Sequence, residues 1–358
     1  MTSNSADAYR VQIIGGSGGV GKTSISAALA VQACLAGHRT LVLTIDPARR
    51  LASALGIEDI GADAIDITDR VADADLSPDG SLHAMMLDAK RTMDHVVERY
   101  ARDADQQARI LDNRLYRNVS TRLAGSQEYA AMQCLADIVD SGEFDRIIVD
   151  TPPSTHALDF LDAPRRLRAL FDSKLVRVFI GFGSSAGRGF FRVSDLLFKA
   201  LDRLTGSQAI AELSEFFSVA ESLFEPFNAR SQRADEVLRD ARTDFIIVSG
   251  PNRDQLDQAN VFSQALKRMD MQVSRLIVNR HHVPQLSHPI PVAPSADENS
   301  TLDERIQRWG SMLEQMAQDQ ARLITELSDQ GTIPVTAVPQ MDEDIHSLQG
   351  LARVAEHL

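Results

Sequence analysis

What the chain has little of narrows it first. Two cysteines, Cys34 and Cys134, are its only thiols, and no CxxC pair occurs. A thiolate zinc site or a disulfide framework is therefore not expected, and both residues read as small hydrophobes buried in helices. No apolar run approaches the ~18 residues that span a bilayer. The first eight residues are polar and unlike a signal peptide, so the expectation is a soluble, cytoplasmic protein. Positive charge is scarce too: 37 Lys and Arg face 50 Asp and Glu, a formal charge of −13, and only five residues are Lys. Nucleic-acid binders lean basic, so nucleic acid is not an expected partner. With 358 residues, 44% apolar and 24% charged, the chain is globular and long enough for one large α/β domain or two smaller ones.

What is there is an alternation of short apolar runs with helical patterns. Val11–Ile14, Thr40–Ile45, Leu82–Leu87, Arg146–Val149, Phe245–Val248, Leu276–Val278 and Val335–Val338 read as strands. Helical periodicity covers Lys22–Ala36, Gln127–Asp140, Gln255–Met269 and Thr301–Leu327. Continuous apolar strands alternating with helices predict a mostly parallel sheet covered on both faces. Two stretches interrupt the alternation. Lys90–Arg122 reads as a polar, Arg-rich helix, and Phe160–Arg239 is helical and holds 11 of the 14 phenylalanines. Both are expected to form a helical subdomain, inserted at about 89–124 and 160–241 in a single domain of 1–358. Arg280–Ser300 reads as an exposed Pro-rich loop whose His281, His282 and His288 lack metal-ligand spacing.

The strongest local signal is Gly16-Ser17-Gly18-Gly19-Val20-Gly21-Lys22-Thr23, which fits G-x-x-x-x-G-K-[ST]. It follows a strand and opens a helix, the context in which such a loop cradles phosphate. Glycines let backbone N–H groups curl around phosphate oxygens, and the helix N-terminus adds its positive dipole end. Lys22 is expected to reach the β and γ phosphates, and the Thr23 hydroxyl to ligate Mg²⁺. Two acids stand at strand ends, where ligands of parallel sheets sit. Asp46 can orient a water or hold Mg²⁺ through water. Asp150 ends an apolar run in the manner of a Walker B acid.

Five segments together carry a resemblance: GGSGGVGKTS (15–24), TIDPARRLASALG (44–56), AGSQEYAAM (124–132), DTPPSTHALDFLDAP (150–164) and LIVNR (276–280). In order and spacing they resemble the ArsA-type ATPases, whose members include the arsenite-pump subunit and the ATPase that targets tail-anchored membrane proteins. The bacterial branch of unassigned role is most similar; MinD and ParA are more distant. The fold this implies is α/β, a P-loop NTPase of the deviant Walker A (MinD/ArsA-like) type, with a mostly parallel sheet, helices on both faces and the inserted helical subdomain. The resemblance implies ATP and Mg²⁺ as cofactors. It implies phosphate binding by Gly18, Gly19, Val20, Gly21, Lys22, Thr23 and Ser24. It makes Asp46 the acid of switch I that positions the attacking water, with Lys22 and Asp46 catalytic and Thr23, Asp46 and Asp150 at the metal. Asp150, Pro152 and Pro153 fall on switch II, with His156 nearby in an unassigned role. Asn279 falls on the adenine-binding Asn, and Pro339 and Gln340 on the loop that packs against the base.

Three departures qualify what the resemblance implies. Ser17 stands where the family has a lysine that reaches the partner's phosphates, and Arg49 or Arg50 could substitute for it. The metalloid-binding cysteines and the zinc CxxC are absent, so no zinc is expected. One phosphate loop is present where the arsenite pump has two, so a homodimer or a heterodimer with a paralogue is expected. The stretch Pro164–Ser207 carries nine Arg or Lys, three Asp and six Phe, which suits either a hydrophobic or membrane-protein client or the subdomain's own core. Two functions follow. One is an ATPase whose dimer closes with ATP and controls a client. The other is a nucleotide-gated regulatory or positioning switch with little turnover. The usual membrane anchor of that second class is a basic amphipathic tail, whereas Asp342–Leu358 carries one Arg, Arg353, against four acids. A nucleotide kinase fits the DTPP and DPA segments poorly.

Overall fold

The computed structural model describes residues 9–46, 48–114, 116–117, 120, 126–152, 169, 207–285, 302–329, 331, 333–343 and 345–358. Expectations for 153–168 and 170–206, including Pro153, His156 and the basic Phe-rich stretch, lie outside these residues, as does His288. The chain folds as two units: Met1–Met86 with Glu143–Leu158 and Arg239–Leu358, and Leu87–Gly142 with Asp159–Leu238.

The first unit is built on strands β1 (Arg10–Gly16), β2 (Arg39–Thr44), β3 (Ile65–Asp66), β4 (Ser81–Met86), β5 (Arg146–Asp150), β6 (Thr243–Ser249), β7 (Val273–His281) and β8 (Val335–Pro339). Among the described residues the helices are α1 (Lys22–Leu35), α2 (Arg50–Leu55), α3 (Thr68–Asp73), α4 (Ala89–Tyr100), α5 (Ala104–Leu111), α6 (Ser126–Ser141), α7 (Ser207–Arg239), α8 (Arg253–Arg268), α9 (Leu302–Asp329) and α10 (Leu348–Ala355). The sheet order is β3-β4-β2-β5-β1-β6-β7-β8. Every pairing is parallel except that of β3 with β4. Two-residue β3 was not foreseen, because two residues carry no period.

Burial on both faces explains the apolar runs: every residue of β6 is buried, as are five of the six in β2. Ile14, Val42, Ile148 and Ile246 join one core with α1, α2, α3 and α10. Each fully buried aliphatic contributes ~1.5–3 kcal/mol gross. The next residue along β1, Gly15, turns to the opposite face, where a Cβ would come within 2.5 Å of the Phe262 ring on α8. The C-terminal helix α10 is part of this core: Leu348, Leu351 and Val354 are buried, and Gln32 of α1 donates to the Ala355 carbonyl at 2.9 Å. Cys34 and Cys134 are buried free thiols, and burial pushes them up to about 11 and about 12.

The second unit contains α4 to α6 and most of α7. The single helix expected over Lys90–Arg122 is broken. Asp103 leaves the helical conformation and caps α5 by accepting from the Gln106 N–H at 2.8 Å. The unit also takes in α6, which the sequence pattern grouped with the helices between strands. Arg230 of α7 donates to Gln133 Oε1 of α6 at 2.7 Å and pairs with Asp137, while Tyr129 stacks on Phe227 at 5.4 Å. β7 runs further than expected, taking in Arg280 and His281 from the supposed loop. Among the described residues no helix is long and apolar enough to cross a membrane.

Candidate nucleotide-binding site

β1 lies at the centre of the sheet, between β5 and β6, and delivers the loop 17–21 at the carboxyl edge. Two glycines are demanded there. At Gly16 (φ 156°) a Cβ would come 2.1 Å from the Val248 carbonyl oxygen. At Gly21 (φ 90°) it would come 2.4 Å from Asn279 Nδ2. Gly21 is also the N-cap of α1, and no side chain caps that helix. The first N–H groups of α1 therefore lack intrahelical partners. They open at a cleft of about 700 Å³ whose lining includes Gly19, Lys22, Thr23, Ser24 and Asp46. A Cβ added at Gly18 or Gly19 would meet nothing within 4 Å. Uncapped amides, a helix dipole and open space fit a phosphate chain.

Lys22 is buried at 8% exposure, and its ammonium donates to the carbonyls of Gly16 at 3.1 Å and Ser17 at 2.9 Å. An ammonium has three N–H donors, so one remains for an anion. Burial pushes its pKa down, and the Asp150 charge opposes that shift. Ser17 cannot supply a cation. Its Oγ is buried without a hydrogen-bond partner among the described residues.

Asp150 is 1% exposed and collects three hydroxyls, two from α1 and one from β2. Oδ2 accepts from Thr23 at 2.9 Å and Thr44 at 3.2 Å, and Oδ1 accepts from Ser26 at 3.3 Å. Burial pushes its pKa up to about 6, against the hydroxyls and Lys22. The carboxylate is thus the main form at pH 7. Hard oxygen donors on Thr23, which lines the cleft with Lys22, and on Asp150, hydrogen-bonded behind it, fit magnesium. Thr151 secures the neighbouring strand end by donating to the Ile14 carbonyl at 2.6 Å.

Asp46 lies in a different setting. Its side chain is 19% exposed; Oδ1 accepts from the Ala48 N–H at 3.0 Å, and Oδ2 is 3.4 Å from an Arg50 nitrogen. It lines the same cleft as Thr23 but shares no hydrogen bond with Thr23 or Asp150. Arg49 and Arg50 line the cleft as well, and Arg49 reaches Asp59 at 3.8 Å.

Asn279 is buried behind the loop and donates to the Val20 carbonyl at 2.8 Å. One amide N–H and the oxygen remain for a base edge. Gln340 N–H donates to the His281 carbonyl at 2.8 Å, so Pro339 and Gln340 extend the β7–β8 ladder. Between Asn279 and His281 the register slips, and Arg280 takes φ 61°. That bulge brings Arg280 into the cleft lining. Arg280, Thr44 and Ser26 were not singled out from the sequence. The position of Arg280 straight after Asn279 at a strand's carboxyl end, and Ser26 one turn beyond Lys22, were the available signals.

The sheet order, the loop and the uncapped helix define a phosphate-loop nucleotide-binding protein. Within that class, the model of the anion-transporting ATPase family matches residues 9–288, and the chain belongs to this family. It is 27% identical over 292 residues to the ATPase GET3B of Arabidopsis thaliana, covering 75% of this chain and 63% of that relative. A putative arsenical pump-driving ATPase of Chlorobaculum tepidum is 31% identical over 158 residues, 44% of this chain and 36% of that one. The ATPase GET3 of Malassezia globosa is 23% identical over 345 residues, 96% and 89% of the two. The chain thus spans less than two thirds of the length of the first two.

Proposed function

We propose that this chain is a magnesium-dependent ATPase of 1–358, one domain with an inserted helical subdomain, whose ATP-driven dimer closure and opening controls a hydrophobic or membrane-protein client. The observation that carries the ATPase reading is the uncapped N-terminus of α1, facing one cleft with Lys22 and Thr23, whose hydroxyl donates to the buried Asp150 behind it. The α1 amides and Lys22 hold the phosphate oxygens. Thr23 and Asp150 hold magnesium, which when bound neutralises phosphate charge. Asp46, steadied by the Ala48 N–H and Arg50, orients the attacking water, and its partial exposure leaves it room to do so. Asn279 reads the base with its remaining amide groups, and Pro339 and Gln340 flank it.

The dimer follows from a single phosphate loop, and the partner is a second copy or a paralogue. The inward, cation-free Ser17 favours slow turnover until a partner supplies charge, which also keeps the gated-switch reading in view. The client is argued by analogy with relatives named for arsenical pump driving. The cytoplasm is the compartment where ATP and reduced buried thiols are both at home.

The test is steady-state ATP turnover with magnesium. Lys22→Ala should abolish it, and Asp46→Asn should trap a nucleotide-bound state that captures client in a pull-down. Turnover that persists in Lys22→Ala would sink the ATPase assignment; capture that is the same with ADP as with ATP would sink the gating.

A further inference from the structure

The two halves of α9 treat their apolar side chains differently. In the first half Ile306 is 59% and Trp309 65% exposed, while Ser311, Glu314 and Ala317 are buried. Glu314 accepts there from the Gln285 N–H at 2.9 Å. In the second half Leu323 and Leu327 turn to their own unit, yet they do not close on it. They line a cavity of about 250 Å³ whose facing wall is α8.

The floor of the cavity is a row across three strands. Ile247 of β6 pairs with Leu276 of β7, and Leu276 with Val335 of β8. Partners in parallel strands present their side chains to the same face. Ile247 is buried, but Leu276 and Val335 are only half-buried, although β7 has a strand on each side. The sheet therefore keeps an apolar strip that α8 and α9 leave uncovered.

The polar groups around this strip lack partners. Ser263 of α8 lines the cavity at 4% exposure, and its hydroxyl makes no hydrogen bond among the described residues. Other helical serines turn back on their own helix: Ser26, Ser231 and Ser311 each donate to the carbonyl four residues earlier. A buried hydroxyl left unpaired is costly, so Ser263 has a bond to offer an occupant. Arg253 and Asp257 of α8 and Glu326 of α9 form an exposed rim. Among the described residues none of these three side chains makes an ion pair or a hydrogen bond.

Size and charge select the occupant. A void of about 150 Å³ takes up benzene, so this one suits a body of about ten non-hydrogen atoms. Apolar walls want hydrocarbon, and two rim carboxylates against one guanidinium favour a positive head. A bare metal ion would find too few oxygens. Asp257 and Ser263 stand six residues apart on α8, about 9 Å along its axis, so an amine at one end and a hydroxyl at the other can be met together.

We propose that the cavity between α8, α9 and the β6-β7-β8 face binds a small hydroxylated apolar amine, its protonated nitrogen at Asp257 and Glu326 and its hydroxyl at Ser263. The cavity shares no lining residue with the nucleotide cleft, and the proposal does not rest on the ATPase reading.

Calorimetric titration of the full chain with tyramine tests it, with phenethylamine and 3-(4-hydroxyphenyl)propionate for comparison. Tyramine should bind about tenfold more tightly than the propionate, whose charge is reversed. Asp257→Asn together with Glu326→Gln should erase that preference. Ser263→Ala should weaken tyramine about threefold and leave phenethylamine, which lacks the hydroxyl, unchanged. Ala259 is buried in the α8 wall. Ala259→Leu fills the void and should weaken all three compounds by about tenfold or more, with circular dichroism and binding of a fluorescent ATP analogue as in the parent. No tyramine binding at millimolar concentration overturns the proposal. Equal binding of tyramine and the propionate removes the charge selection and overturns the ligand class. Tyramine binding that survives Ala259→Leu places the amine elsewhere, the exposed stripe of α9 included, and overturns the site.

Discussion

β2 and β5 lie side by side in the sheet, and each leads into an aspartate at the same edge, yet the two carboxylates meet opposite surroundings. Asp150 is sealed from solvent and held by hydroxyls of Thr23, Thr44 and Ser26. Asp46 is partly exposed, with one backbone N–H and an arginine for company. A sealed acid keeps its position and is costly to charge; a partly exposed one has room to shift. Under the proposed function, this difference suits Asp150 to the standing task of holding the ion beside Thr23, and Asp46 to the task that is needed only while the phosphate is being attacked.

The comparison can be broken by substitution. Asp150→Asn should have the largest effect: turnover falls by ~10³ or more, and the magnesium-dependent part of nucleotide affinity disappears. Titration of a fluorescent ATP analogue with and without Mg²⁺ checks it. Asp46→Asn should lower turnover by roughly 10²–10³ with affinity unchanged, because the lost contact is made only in the transition state. Equal losses of affinity and turnover at Asp46 would mean that the two acids do the same work.

Acidity sharpens the contrast. With a folded pKa of about 6 against 3.8, Asp150 binds its proton more tightly in the folded chain. On its account the nucleotide-free protein should lose up to about 3 kcal/mol of stability as pH rises from about 4 through 6, since the unfolded state then binds fewer protons. Under the proposed function, magnesium binding needs the same ionisation. Mg-ATP affinity should therefore fall about tenfold per pH unit below about 6 in the parent, and not in Asp150→Asn. Melting temperatures and binding isotherms across that range test both signs. Thr44→Val removes one of the three hydroxyls and should raise the Asp150 midpoint by about half to one pH unit. The smallest effect is expected at Arg280→Asn. Asn tolerates the left-handed backbone, so the loss of the cation should weaken ATP affinity about three- to tenfold with the fold intact.

Much of this was legible from residues alone. The phosphate loop was readable because its demands are local: glycines at Gly16 and Gly21, a lysine and a hydroxyl within one turn of helix. The buried strands were readable because both faces are covered, which leaves continuous apolar runs, though their ends came out a residue or more off, short in β1 and one residue too far at the ends of β2 and β4. The break before α5 was not seen, since a cap at Asp103 costs the helical pattern only a turn. β3 and the bulge at Arg280 gave no periodic signal.

By itself, then, the sequence determined the class of fold, the loop and the two candidate acids, because each is written in neighbouring residues. Only the tertiary structure decided that Asp150 meets Thr23 and Thr44 across 127 and 106 residues of chain, and that Asp46 does not. Sheet order β2-β5-β1 makes that meeting, and pairing between distant strands leaves no mark on any one of them. The outward face of α9 belongs to the same kind. An apolar stripe reads alike whether it faces a core or solvent, and on α9 the buried side is the one on which Glu314 accepts from the chain beyond β7.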